Sequence, residues 1–405
     1  MLFLKYVIAI FAGITAGIVT GLTPGIHINL ISVLLIAITP TLAKYADFTS
    51  LSCFIIAMSV THSFLDSIPS IFLGAPEEAT ALGVLPGHRY LLRGNGLMAV
   101  KLTIIGSLGA LLLSILLFPI LIPIVSFIYP LIKNYIGYIL IVVVIFMIQR
   151  DKKRLWAMFV FFLAGTFGII VFNIPTLKNP LFPMLSGLFG VATLLISLKD
   201  TNNIPKQNEM QVVKLRWPLL AKSLLSGQFS GWLTSMFPGL GASTAAILSL
   251  QITKKLGDHG FMVLMGSINT VNFILSMVTL YSLNKARNGS IIAIQKTASF
   301  FQTELTIPLI IIFLIATLIS GTIAAVLALK IGRLFSRHIT KINYQFLLSS
   351  IIAFIILLTI LLTGPIGLFV LLISTAIGFI SPIVKVTRTH AMGCLLLPVI
   401  MYFIL

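Results

Sequence analysis

From Leu102 to Ile128 the chain carries no charged side chain, and apolar runs of similar character recur from its first residues to its last. A helix crosses the hydrocarbon core of a bilayer with roughly 20 residues, and this limits the fold more than any motif does. The chain is expected to be an all-α, polytopic membrane protein. Of its 405 residues 58% are hydrophobic and 9% charged, which leaves too little polar surface for the two or three soluble domains that length alone would indicate. Cys53 and Cys394 lie far apart inside apolar segments, so neither a disulfide framework nor a thiolate metal cluster is expected. The opening MLFLKYVIAIFAGITAG has the basic residue, apolar run and small residues of a secretory leader. The sequence just beyond it recurs later, however, and assigns it to the membrane domain. A net charge of +18 could indicate nucleic acid; in a membrane protein Lys and Arg near span ends report orientation instead.

Apolar segments fall at 2–43, 51–73, 102–128, 135–149, 155–173 and 180–198, then at 218–250, 261–283, 305–329, 345–363, 365–380 and 390–405. A polar stretch, 199–217, separates the sets. This divides the chain into a first membrane repeat (1–198), a cytoplasmic linker (199–217) and a second membrane repeat (218–405). GIVTGLTPGI from Gly17 matches GWLTSMFPGL from Gly231 at Gly, Thr, Pro and Gly; THSFLDS from Thr61 matches TVNFILS from Thr270; RGNG at Arg93 echoes ARNG at Ala286. Three matches in the same order point to duplication. Placing loop 150–154 in the cytoplasm puts 74–101, 199–222, 254–258, 330–341 and 385–388 there too. These loops hold 20 of the 27 Lys and Arg, the asymmetry of the positive-inside rule. If each Pro-Gly-broken first segment returns to its starting side, the halves cross in opposite senses and loops 74–101 and 285–304 face opposite sides, as in inverted-repeat secondary transporters.

Both first segments are interrupted, at Pro24-Gly25 and at Pro238-Gly239. Proline lacks an amide donor and clashes with the preceding turn, and backbone groups freed at membrane depth must face protein or a water-filled cavity. A half-helix starting after such a break aims its amide groups and positive dipole end at that cavity. Two breaks, re-entrant or discontinuous, can therefore meet as an anion site. Thr20, Thr23, His27 and Asn29 flank the first; Thr234, Gly241, Ser243 and Thr244 flank the second. A kinked buried helix whose hydroxyls bond to the preceding turn is the alternative.

The next segment of each half carries a polar stripe. His62 and Asp66 are four apart and share a helix face, with Ser63 beside them; Asp66 is the one carboxylate assigned to a span. An intramembrane acid is expensive and marks function by default, here a Na+ or H+ coupling site; a structural His-Asp hydrogen bond is the competing reading. Asn269 and Asn272 line the counterpart segment. Arg89 and Arg93 could hold an anion with forked hydrogen bonds, or serve only as cytoplasmic charges. No HExxH, phosphate loop or GxSxG occurs at a fitting place, and His62 and Asp66 with Glu77 or Glu78 lack metal-ligand spacing. No enzyme, metal or cofactor is expected, beyond the coupling ion.

The Pro-Gly break near the N-terminus, SIPSIFLGAPEEATALGVLPGHRYLLRG after it and FPGLGAST opening the second half together resemble the large membrane subunit of tripartite tricarboxylate transporters. The resemblance spans most of the chain, which looks like a compact archaeal-type member. It departs at Pro86, where the family usually has an acid before a basic turn. The resemblance implies a cation-driven carboxylate permease in the plasma membrane, working by alternating access with a small membrane subunit and an extracytoplasmic binding protein. A looser resemblance, confined to the paired Pro-Gly loops, is to polyprenyl-phosphate transporters and implies a lipid-phosphate translocase. An intramembrane enzyme using His62 and Asp66 is the third reading.

Overall fold

The computed structural model describes residues 2–23, 28–73, 81–177, 179–198, 204–237, 242, 245, 246, 249, 253, 256–341 and 343–405. Among these residues the structure is helical and contains no strand. The helices are α1 (Leu2–Leu22), α2 (Ile28–Leu42), α3 (Phe48–Leu65), α4 (Ser67–Phe72), α5 (Ala81–Leu92), α6 (Gly96–Ile132), α7 (Ile136–Arg150) and α8 (Arg154–Phe172). There follow α9 (Leu181–Leu185) and α10 (Ala192–Ser197), bridged by a π turn, then α11 (Trp217–Met236), α12 (Gly257–Leu283), α13 (Gly289–Phe300), α14 (Ile307–His338), α15 (Tyr344–Val384) and α16 (Gly393–Ile404). Seven stretches of the described residues are long and apolar enough to cross a membrane, which makes this a multi-pass membrane protein. Shorter apolar helices cover Leu181–Ile196 and Arg388–Ile404.

Local chemistry sets several boundaries. Asp47 starts α3 by accepting from the Ser50 amide at 2.8 Å, Asn288 caps α13 through Ser290 N, and Asn343 caps α15 through Gln345 N and Phe346 N; each satisfies an amide that the first turn leaves free. Pro69 cannot donate to the Leu65 carbonyl, which marks the junction of α3 and α4 at Asp66, although the backbone there stays helical at φ −58°, ψ −26°. In α15 Gly364 sits at φ +68° directly before Pro365, a left-handed conformation suited to glycine. The kink falls at the expected gap between segments 345–363 and 365–380.

Two expectations need correction. Residues 74–101 and 285–304 were read as loops, yet they contain the twelve-residue helices α5 and α13. In α13 the buried positions Ile291, Ile294 and Ala298 recur at the three-to-four spacing of one helix face; in α5, Tyr90 and Leu91 are buried, and packing overrides the glycines and Pro86.

Burial ranks the spans. In α3–α4 and α12, 83% and 78% of a membrane-length window is buried, against 22% for α6–α7 and 33% for α15. The most buried helices are the ones that carry the intramembrane polar stripes. One large core joins α1, α3, α4, the first part of α6, α12, α13, α14 and the first arm of α15; a second joins α7, α8, α9, the second arm of α15 and α16. Each core draws helices from both sides of the linker.

The linker is strapped to the helix ends beside it. Gln207 is buried, accepts from Gly96 N and donates to the Leu91 carbonyl; Asn208 N donates to the Gly94 carbonyl, Lys101 Nζ to the Gln211 carbonyl, and Arg337 Nε to both carboxylate oxygens of Glu209. Elsewhere Asp151, at the end of α7, accepts from Thr387 N, the Thr387 hydroxyl and His390 Nε2. The Asp151 and His390 side chains are 6% and 2% exposed. Burial alone would raise the Asp151 pKa, but the hydrogen bonds from Thr387, Lys153 and His390 outweigh it and hold the group at about 2.

Candidate functional site

The stripe of α3 ends at Asp66, whose side chain lies on a space shared with α6 and α12. A small cavity lies there. It is lined by Ser63, Asp66, Ser67, Ser70 and Ile71 from α3–α4, by Thr103 and Ser107 from α6, and by Met262, Met265, Gly266 and Asn269 from α12. It is partly open and has room for a water molecule or a bare ion. Two of the expected coupling residues, Ser63 and Asp66, thus meet Asn269 of the second half.

Glycine makes this juncture possible. A Cβ on Gly106 would strike the Val263 carbonyl, and one on Gly266 would strike the Thr103 carbonyl. Both obstacles are backbone, so α6 and α12 approach as closely as helices can, in the manner of small-residue crossings in membranes. Hydroxyls fasten the crossing: Ser107 Oγ donates to the Gly266 carbonyl at 3.0 Å, and Ser267 Oγ lies 3.2 Å from the Gly106 carbonyl and 2.8 Å from that of Val263.

His62 points elsewhere: its Nδ1 lies 3.2 Å from Thr20 Oγ1 of α1, and the ring is buried. Beside this contact, Gly17 and Gly21 of α1 press on Met58, Thr61 and His62 of α3, as Gly231 of α11 presses on Val271 and the amide of Asn272 in α12. Thr23 and Thr234 bond back to the carbonyls of Val19 and Gly231 at 2.7 and 2.9 Å, and Asn272 Oδ1 accepts from Ser276 at 3.2 Å. Arg89 and Arg93 stand 3.9 and 3.8 Å from Asp258, largely exposed, while the neighbouring Tyr90 hydroxyl bonds His259 Nδ1 at 2.8 Å. Pro24, Gly25, His27, Glu77, Glu78, Pro238, Gly239, Gly241, Ser243 and Thr244 lie outside the described residues, as does the Asn29 side chain. Among the described residues no group of His, Cys, Asp and Glu could hold a metal ion in the usual way.

Ser67, Ser70, Thr103 and Ser107 complete the cavity without having been singled out from sequence. The signal was present in α6: Thr103 and Ser107 are four apart, on one face, and flank Gly106. A third contact joins the halves, where Ser290, at the start of α13, meets Ser59 of α3 and lies 3.4 Å from Ser32 of α2.

Comparison with known proteins adds a name to this geometry. Along its whole length the chain aligns with an uncharacterized protein, MJ1079, of Methanocaldococcus jannaschii, 30% identical over 415 residues and covering 100% of both chains. No solved structure matches. The family model described as the tripartite tricarboxylate transporter TctA family matches residues 7–393, a range that takes in α3–α4, α6 and α12 with their shared cavity. A multi-pass helical chain with a buried carboxylate among its spans and a family match over nearly all its length belongs to the tripartite tricarboxylate transporter TctA family, a family of transporters and not of enzymes.

Proposed function

We propose that the protein is a secondary active transporter that moves a di- or tricarboxylate across the plasma membrane by alternating access, driven by a Na+ or H+ gradient. The observation that carries this reading is Asp66, buried within the membrane-spanning region and facing Asn269 across the junction of the two most buried helices. A carboxylate there is costly unless it is used, and coupling is a use that fits the family. The substrate is proposed to sit between the Pro-Gly segments: Thr20, Thr23, Pro24, Gly25, His27 and Asn29 on one side, Thr234, Pro238, Gly239, Gly241, Ser243 and Thr244 on the other, with Asn272 beside them. That α1 ends at Leu22, with Thr23 already outside the helix, supports a break there, and a half-helix starting beyond Pro24-Gly25 would favour a bound anion through its dipole.

In this reading residues 1–198 and 218–405 are inverted-topology repeats. The similar glycine contacts of α1 on α3 and of α11 on α12 support it. The basic loops face the cytoplasm, and a small membrane subunit and an extracytoplasmic binding protein complete the system. The pairing of Arg89 and Arg93 with Asp258 favours their role as cytoplasmic surface charges over direct anion contacts.

Uptake and exchange of radiolabelled citrate and succinate by proteoliposomes, under imposed Na+ and H+ gradients, test the proposal. Gradient-dependent accumulation, lost in His62→Ala or Asp66→Asn, is the expected result. Absence of uptake and exchange for every di- and tricarboxylate, together with movement of a trapped polyprenyl phosphate between leaflets, would overturn it in favour of lipid translocation.

A further inference from the structure

The cavity between α3–α4, α6 and α12 has a chemical polarity of its own. Four of its hydroxyls have their protons engaged away from it. Ser63 Oγ donates to the Ser59 carbonyl at 2.7 Å, Ser67 Oγ to that of Phe64 at 3.1 Å, Thr103 Oγ1 to that of Val100 at 2.8 Å, and Ser107 Oγ to that of Gly266 at 3.0 Å. A hydroxyl whose single proton is so engaged offers only lone pairs to its other neighbours. Thr103 Oγ1 and Ser67 Oγ lie 3.3 Å apart. To these the Asp66 carboxylate adds a negative charge, and Asn269 adds an amide whose carbonyl oxygen can turn inward. No Lys, Arg or His is among the described residues that line the space.

We infer that this cavity binds one dehydrated sodium ion, with the Asp66 carboxylate as its charged ligand and oxygens of Ser63, Ser67, Thr103, Ser107 and Asn269 available to complete the shell. One carboxylate balances a monovalent charge. The hydroxyl, amide and carboxylate oxygens suit a hard cation, and Asp66 is the one carboxylate among the described residues that line the space. The ligands come from α3–α4 and α6 of the first half and α12 of the second, so the ion ties the α3–α4 junction to the α6–α12 crossing. The use of this ion for coupling rests on the transporter reading above; its binding does not.

The test uses the full-length purified protein in nanodiscs, in choline chloride, with NaCl or KCl exchanged in at constant ionic strength. Binding of radioactive sodium is expected to saturate at one ion per chain, and NaCl, but not KCl, raises the thermal unfolding temperature, because a ligand that binds only the native state stabilises it. Asp66→Asn removes both effects; Thr103→Val, which keeps volume and loses the oxygen, weakens sodium binding about tenfold, a change of about 1.4 kcal/mol. Unfolding of both variants in choline chloride alone reports whether they fold. If Asp66→Asn does not fold, Thr103→Val and Ser107→Ala decide: unchanged sodium affinity in both overturns the site. No sodium-dependent stabilisation of the wild type, or stabilisation on acidification alone that disappears in Asp66→Asn, also overturns it, the latter in favour of a proton. Sodium binding without carboxylate uptake leaves the ion site standing and removes the transport reading; uptake without sodium binding does the reverse.

Discussion

Replacing Gly266 with alanine is a one-carbon perturbation whose cost follows from what surrounds it. The new Cβ would meet the carbonyl oxygen, carbonyl carbon and Cα of Thr103, backbone atoms that cannot rotate away. The α6–α12 crossing must then open. Overpacking of this kind costs about 1–3 kcal/mol, and separation also weakens the bond from Ser107 to the Gly266 carbonyl and that from Ser267 to Gly106, each worth about 0.6 kcal/mol in membrane helices. A total of about 2–4 kcal/mol is expected by that account. The assay is denaturant unfolding in mixed micelles, with Gly109→Ala as the control. Gly109 lies on α6, three residues beyond Gly106, but faces only the side chain of Leu224, which can give way, so its substitution is expected to cost under about 1 kcal/mol. Gly106→Ala should resemble Gly266→Ala, and the double variant should cost less than the sum, since one opening relieves both. Equal stability of Gly266→Ala and wild type, or equal damage from Gly109→Ala, refutes a backbone-limited crossing.

Other expectations follow from single contacts. The Asp151 pKa lies below its ordinary 3.8, at about 2, so its contribution is complete above about pH 4 and is lost as pH falls through 2. Acid unfolding should show a limb of about 2 kcal/mol that Asp151→Asn abolishes. Thr20→Val strips the buried His62 Nδ1 of its partner on α1 and should cost about 1–3 kcal/mol, with Thr20→Ser close to wild type in the same unfolding assay. Glu209→Gln removes the ion pair with Arg337 Nε, whose side chain is 60% exposed; thermal unfolding should register less than about 1 kcal/mol, and less still at high salt.

The helices were legible wherever apolar length or a proline governed them. Segment 102–128 announces α6, and Gly364-Pro365 announces the kink of α15. The helices α5 and α13 were not, because their polar and glycine-bearing sequences form helices by packing on buried neighbours. Asp66 and Asn269 were visible as polar residues in apolar surroundings, and the structure sets them on one cavity. The hydroxyls of Thr103 and Ser107 were passed over because α6 reads as uniformly apolar, and a hydroxyl in a membrane helix is cheap enough, bonded to its own preceding turn, to carry no signal by itself. The contact of His62 with Thr20 of α1 and the place of Asp66 on the cavity beside α12 were not legible, because spacing four apart gives a shared helix face and not which neighbouring helix each side chain meets.

The large core has a consequence for how the protein is made. α3 is finished at Leu65, yet it is buried against α14, which ends at His338. A ribosome adding about 5–20 residues per second needs on the order of 10–60 s to supply that partner. Through that interval Asp66 and the serines of α3 are in the bilayer or its insertion machinery without the helices that later enclose them. Insertion and assembly are therefore separate events in this chain, and the first half must be held in a soluble-in-lipid but unfinished state until the second arrives.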